Sequence, residues 1–83
     1  MKEEFKMKTV QISLNSIDKV KSFVNDITKF DYDFDLVSGR YVIDAKSIMG
    51  IFSLDLSSPI QLNIYADQDE DKIMEAIKPY VVE

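Results

Sequence analysis

The sequence contains no histidine and no cysteine. Their absence removes the commonest general base, the best metal ligands and the most nucleophilic side chain. Any activity would have to run on carboxylates, hydroxyls, lysine or tyrosine, which argues against an enzyme. Without cysteine there is no disulfide framework, as suits a reducing compartment. Gly39 and Gly50 are the only glycines, so no glycine-rich loop can wrap a phosphate. Positive charge is also scarce: Lys+Arg number 10 against 15 Asp+Glu, a net charge of −5. The basic stripe that nucleic acid requires is missing, and an anionic membrane surface is disfavoured for the same reason. No apolar run approaches the ~20 residues of a membrane span, and the opening MKEEFKMK is not a signal peptide. These features predict a cytoplasmic protein with neither metal nor cofactor.

The 83 residues are 46% apolar and 30% charged, the balance of a soluble globular domain. A chain of this length buries roughly 60% of its unfolded surface, enough for one modest core, so residues 1–83 are expected to form a single domain. Val10, Ile12 and Leu14 alternate as in a strand. Phe5 and Met7 alternate in the opposite phase, which predicts a bulge or a late strand start. From Ser16 the period becomes helical, with Ile17, Val20, Val24 and Ile27 on one stripe, Phe23 and Phe30 widening it, and Asn15 or Ser16 as the cap. Tyr32, Phe34 and Leu36 then alternate, a Ser38-Gly39 turn follows, and Tyr41, Ile43 and Ala45 return as a hairpin partner. Ser47 to about Leu54 reads as a short helix. Ile60, Leu62, Ile64 and Ala66 form another strand. Asp67 or Asp69 caps a last helix carrying Ile73 and Ile77, with Tyr80 or Val81 inward, and Pro79 disturbs its final turn. The order β-α-β-β-α-β-α predicts an α+β fold: a four-stranded antiparallel sheet with helices on one face.

Two acidic clusters invite a metal reading. Asp31, Asp33 and Asp35 open like a calcium loop, but Leu36 and Val42 stand where that loop needs glycine and glutamate. On a strand they simply share the solvent face. Asp67, Asp69, Glu70 and Asp71 sit where a helix N-terminus favours negative charge.

The segment AKSIMGIFSL, residues 45–54, is different. A helix of about two turns cannot bury Ile48, Met49, Ile51 and Phe52 on all sides. Spacing alone favours core filling, with Ser47 as a plain N-cap, but an exposed part of Ile48, Met49 and Phe52 would make a partner surface.

These residues carry a resemblance. Lys46-Ser47-Ile48-Met49-Gly50-Ile51-Phe52-Ser53-Leu54, within TKFDYDFDLVSGRYVIDAKSIMG, resembles the HPr family, the small phosphocarriers of the bacterial sugar phosphotransferase system. The DQDED segment is similar more loosely. The resemblance implies the family's open-faced β-sandwich. It also implies that the phosphocarrying histidine and its arginine, at the start of the first helix, are replaced by Ser16 and Asp18. A serine phosphate ester is far more stable than a phosphohistidine, and Asp18 reverses the charge that holds the phosphate; histidine phosphocarriage is thereby lost. Ser47 matches the serine that an ATP-dependent kinase/phosphorylase modifies in Gram-positive members. The modified protein binds a catabolite-control transcription factor, and Ile48, Met49 and Phe52 match the apolar docking surface. The expected function is a regulatory, histidine-less HPr-like module that partners this kinase, that transcription factor and phosphotransferase components. The alternatives are a phosphocarrier or accessory protein with an unconventional acceptor, and a repurposed HPr-fold binding domain.

Overall fold

The computed structural model describes residues 7–82; Phe5 lies outside them. The elements are β1 (Met7–Ile12), α1 (Ile17–Ile27), β2 (Asp33–Ser38), β3 (Tyr41–Asp44), α2 (Ile48–Phe52), β4 (Ile60–Tyr65) and α3 (Glu70–Ile77). A 3-10 turn at Lys78–Tyr80 and a short strand, β5 (Val81–Val82), follow among the described residues. The sheet is antiparallel in the order β3-β2-β4-β1-β5. It therefore has five strands rather than the four expected. Pro79 ends the last helix early, Ser13 N–H donates to the Tyr80 carbonyl at 2.8 Å, and Val81–Val82 then pair with Ile12 and Gln11.

Period-two patterning decides which face is covered. Ile12, Phe34, Leu36, Ile60, Leu62 and Ile64 join Val20, Phe23, Ile27, Ile51, Ile73 and Ile77 in one buried cluster, so the helices lie on one side. Tyr80 belongs to it too. Its ring meets Phe23 edge-on, centroids 5.5 Å apart, and its hydroxyl donates to Asp26 Oδ2 at 2.8 Å. Burial, reinforced by that carboxylate, pushes the Tyr80 phenol up to about 12.

The other face is open. Asp33 and Asp35 stand on it opposite Tyr65 and Asn63. Asn63 is its buried polar centre, accepting from Thr9 Oγ1 and Gln61 Nε2, each at 3.0 Å. Among the described residues no cluster of three or more acidic side chains is placed to hold a metal ion, and no helix is long and apolar enough to cross a membrane.

Several local expectations need correction. Of the bulge or late start expected for β1, no bulge falls among its described residues: the β1–β4 ladder runs unbroken from Met7↔Tyr65 to Ile12↔Ile60, and Met7 faces outward on the open side. The hairpin turn is Gly39-Arg40, because Ser38 already pairs with Tyr41; glycine suits its first position, where φ is 60°. Tyr41 is exposed at the hairpin's end, beyond the reach of the helices. Ile17 does not share the buried stripe of α1: it is 61% exposed. At 100° per residue it lies roughly 90° around the helix from the centre of Val20, Phe23 and Ile27. Asp69 occupies the cap position of α3 but makes no side-chain cap bond: its backbone is left-handed, at φ 62°, rather than extended, and its Oδ2 accepts from the Tyr32 hydroxyl at 3.1 Å.

Candidate functional site

The head of α2 is built by a relay of short-range hydrogen bonds. Asp44 Oδ1 accepts from the Lys46 N–H and the Asp44 carbonyl from the Ser47 N–H, both at 3.0 Å. These bonds turn the chain out of β3 and leave Ser47 extended, at φ −95° and ψ 105°. Its Oγ accepts from the Gly50 N–H at 3.1 Å, and its carbonyl accepts from Ile51 at 3.0 Å. Ser47 is thus the N-cap. The helix itself is one residue shorter at its start and two at its end than Ser47–Leu54, because capping residues are not helical.

Gly50 has a steric reason. A Cβ there would come within 3.2 Å of both Ile43 Cδ1 and Ser47 Oγ, so glycine keeps room around that hydroxyl. Lys46 is engaged with the end of α1 and with β2. Its ammonium donates to the Phe30 carbonyl at 2.8 Å and lies 5.5 Å from the Phe34 ring centroid, fastening the exit of α1 to the entry of α2.

The helix resolves the question of its apolar residues by splitting them. Ile51 is fully buried and Ile48 half-buried, whereas Met49 is 76% and Phe52 41% exposed. Met49 and Phe52 are three apart, hence neighbours on one helix face. Phe52 also lines a shallow groove with Asn15, Ser16, Ile17, Leu56 and Ser57. The start of α1 and the end of α2 therefore share one apolar surface, to which Ile17 and Leu56 contribute. Sequence reading missed both, Ile17 because spacing assigned it inward and Leu56 because it lies in a loop. Ser16 caps α1 by accepting from the Lys19 N–H at 3.1 Å, and Asp18 is exposed in its first turn.

Ser47→Ala should remove the bond to Gly50 and cost about 1 kcal/mol with the fold kept, whereas Ser47→Asp, which can also cap, should cost less. Thermal melts decide it, and a neutral Ser47→Ala would mean that the cap contributes nothing.

Comparison with known proteins bears on the family and the fold. The family model described as "PTS HPr component phosphorylation site" matches residues 18–83, a span that includes Ser47. Among solved structures, the phosphocarrier protein HPr from Bacillus anthracis str. Ames is similar with a TM-score of 0.73 at 29% identity, covering 96% of this chain and 100% of that one. HPr-C-His from Thermoanaerobacter tengcongensis is similar with a TM-score of 0.70 at 28% identity, covering 89% of this chain and 88% of that one. Members of this family carry phosphate rather than catalyse reactions. With its open antiparallel sheet, three helices on one face and a family match over most of its length, the chain belongs to the HPr family of the phosphotransferase system.

Proposed function

We propose that the protein is a regulatory interaction module of the phosphotransferase system, controlled by phosphorylation of Ser47 and read by partners at Met49, Phe52 and the exposed edge of Ile48. One observation carries the reading: an exposed serine hydroxyl stands at the head of a helix whose next residues include two exposed large apolar side chains. In the reaction, Ser47 Oγ attacks the γ-phosphorus of ATP. The new O–P bond forms as the bridging bond to ADP breaks, and the hydroxyl proton passes to a base of the kinase. The ester adds nearly two negative charges beside an apolar patch without refolding the sheet. A fitting partner pairs arginine or lysine with an apolar pocket, and the family's catabolite-control transcription factor is the candidate. The solved relative from Bacillus anthracis is named a phosphocarrier; histidine phosphocarriage is not available to a chain without histidine.

The test is incubation with the family's serine kinase and ATP, read by intact mass. One phosphate should be gained by the wild type and none by Ser47→Ala. No gain, or a gain that Ser47→Ala leaves unchanged, would overturn the assignment.

A further inference from the structure

Gly50 stands at the third helical position of α2, where glycine is the poorest helix former after proline. The backbone does not call for it. Gly39 and Asp69 are the described residues with positive φ, and Gly50 is not among them. A residue that weakens its own element without a backbone reason points to a use elsewhere. What its missing side chain leaves is space. A Cβ there would lie 3.2 Å from Ser47 Oγ, 3.5 Å from Ser47 Cβ and 3.2 Å from Ile43 Cδ1. Two of the three atoms belong to Ser47.

The chain holds an internal comparison. Ser16 and Ser47 are both exposed N-caps, and each Oγ accepts at 3.1 Å from the N–H three residues on. The donor residue carries a long side chain at one cap, Lys19, and none at the other, Gly50. We propose that Gly50 is a specificity-determining residue for phosphorylation of Ser47: it leaves the hydroxyl room to exchange its cap bond for the incoming phosphoryl group. This role presupposes Ser47 as the modified residue. In the transfer, an Oγ lone pair forms the new O–P bond in line with the bridging P–O bond that breaks toward ADP. The hydroxyl proton leaves to a base of the kinase. Oγ thus acquires a phosphorus and three further oxygens as neighbours. A Cβ already closer to it than ordinary van der Waals contact would crowd that growth most as the bond forms.

The test is the initial rate of phosphorylation by the family's serine kinase with ATP, at varied concentrations of this protein. Gly50→Ala should lower kcat about tenfold and leave KM nearly unchanged, because the added methyl crowds the reacting atom rather than the docked surface. Circular dichroism should stay native, since alanine is the better helix former. Ile43→Val added to Gly50→Ala removes the Cδ1 contact and keeps the one to Ser47, so the rate should stay low. If Gly50→Ala alone fails to fold, this double variant is read in its place. A Gly50→Ala protein with wild-type kcat, one whose loss lies in KM, or one whose rate Ile43→Val restores would each overturn the proposal. A wild type that gains no phosphate would instead overturn the Ser47 assignment, and this role with it.

Discussion

Incubated with phosphoenolpyruvate and the general phosphotransferase enzyme, the protein is expected to gain no phosphate, while a histidine-bearing family member in the same reaction is labelled. The chain has no histidine to form the labile P–N bond that makes transfer onward favourable. The family resemblance puts Ser16 at that position, and its hydroxyl is engaged as the cap of α1, 3.1 Å from the Lys19 N–H. The neighbouring charge is also of the wrong sign. Asp18 stands exposed in the first turn where the resemblance expects arginine, and two like charges at ~4 Å repel by about 1 kcal/mol even in water. The measurement is intact mass before and after mild acid; an acid-labile gain of one phosphate would overturn the expectation. Ser16→His alone should still fail, and Ser16→His with Asp18→Arg has the better chance.

What the sequence made legible is local, and what it hid depends on distant partners. Ser16 and Ser47 could be named as caps because each hydroxyl meets an N–H three residues on, a geometry set by the helix start alone. That Asp69 makes no cap bond could not be read, because its left-handed backbone and the contact of its Oδ2 with the Tyr32 hydroxyl, 37 residues away, belong to the folded chain. The fifth strand was hidden for a related reason. Two residues carry no alternation, and Val81–Val82 become a strand only because β1 offers them an unpaired edge after Pro79 stops the helix. The candidate site divides the same way. That a helix of about two turns cannot bury all of Ile48, Met49, Ile51 and Phe52 follows from its length, whereas which of them stay outside, and the meeting of Ile17 and Leu56 with Phe52, follow from how α1 and α2 are set on the sheet.

That meeting sets the other large expected effect. With the purified transcription factor as probe, Met49→Asp and Phe52→Asp should each weaken binding of the Ser47-phosphorylated protein by about thirtyfold, corresponding to about 2 kcal/mol. The reason is desolvation. A docked partner would take Met49 and Phe52 out of water, and an aspartate in their place would enter that contact as an unpaired charge beside the phosphate. Both side chains are exposed in the free protein, and neither belongs to the buried cluster, so the substitutions should spare the fold. Native circular dichroism is the control. Ile48→Asp would be a poorer probe, since Ile48 packs against the core and its loss would mix stability with binding. Asp33→Ala and Asp35→Ala supply the contrast: they alter charge on the open face, on the side of the sheet away from the helices, and should change affinity little. If binding instead fell with the aspartates and ignored Met49, the partner would dock on the sheet, and the fold would be serving a use other than the one its serine and helix point to.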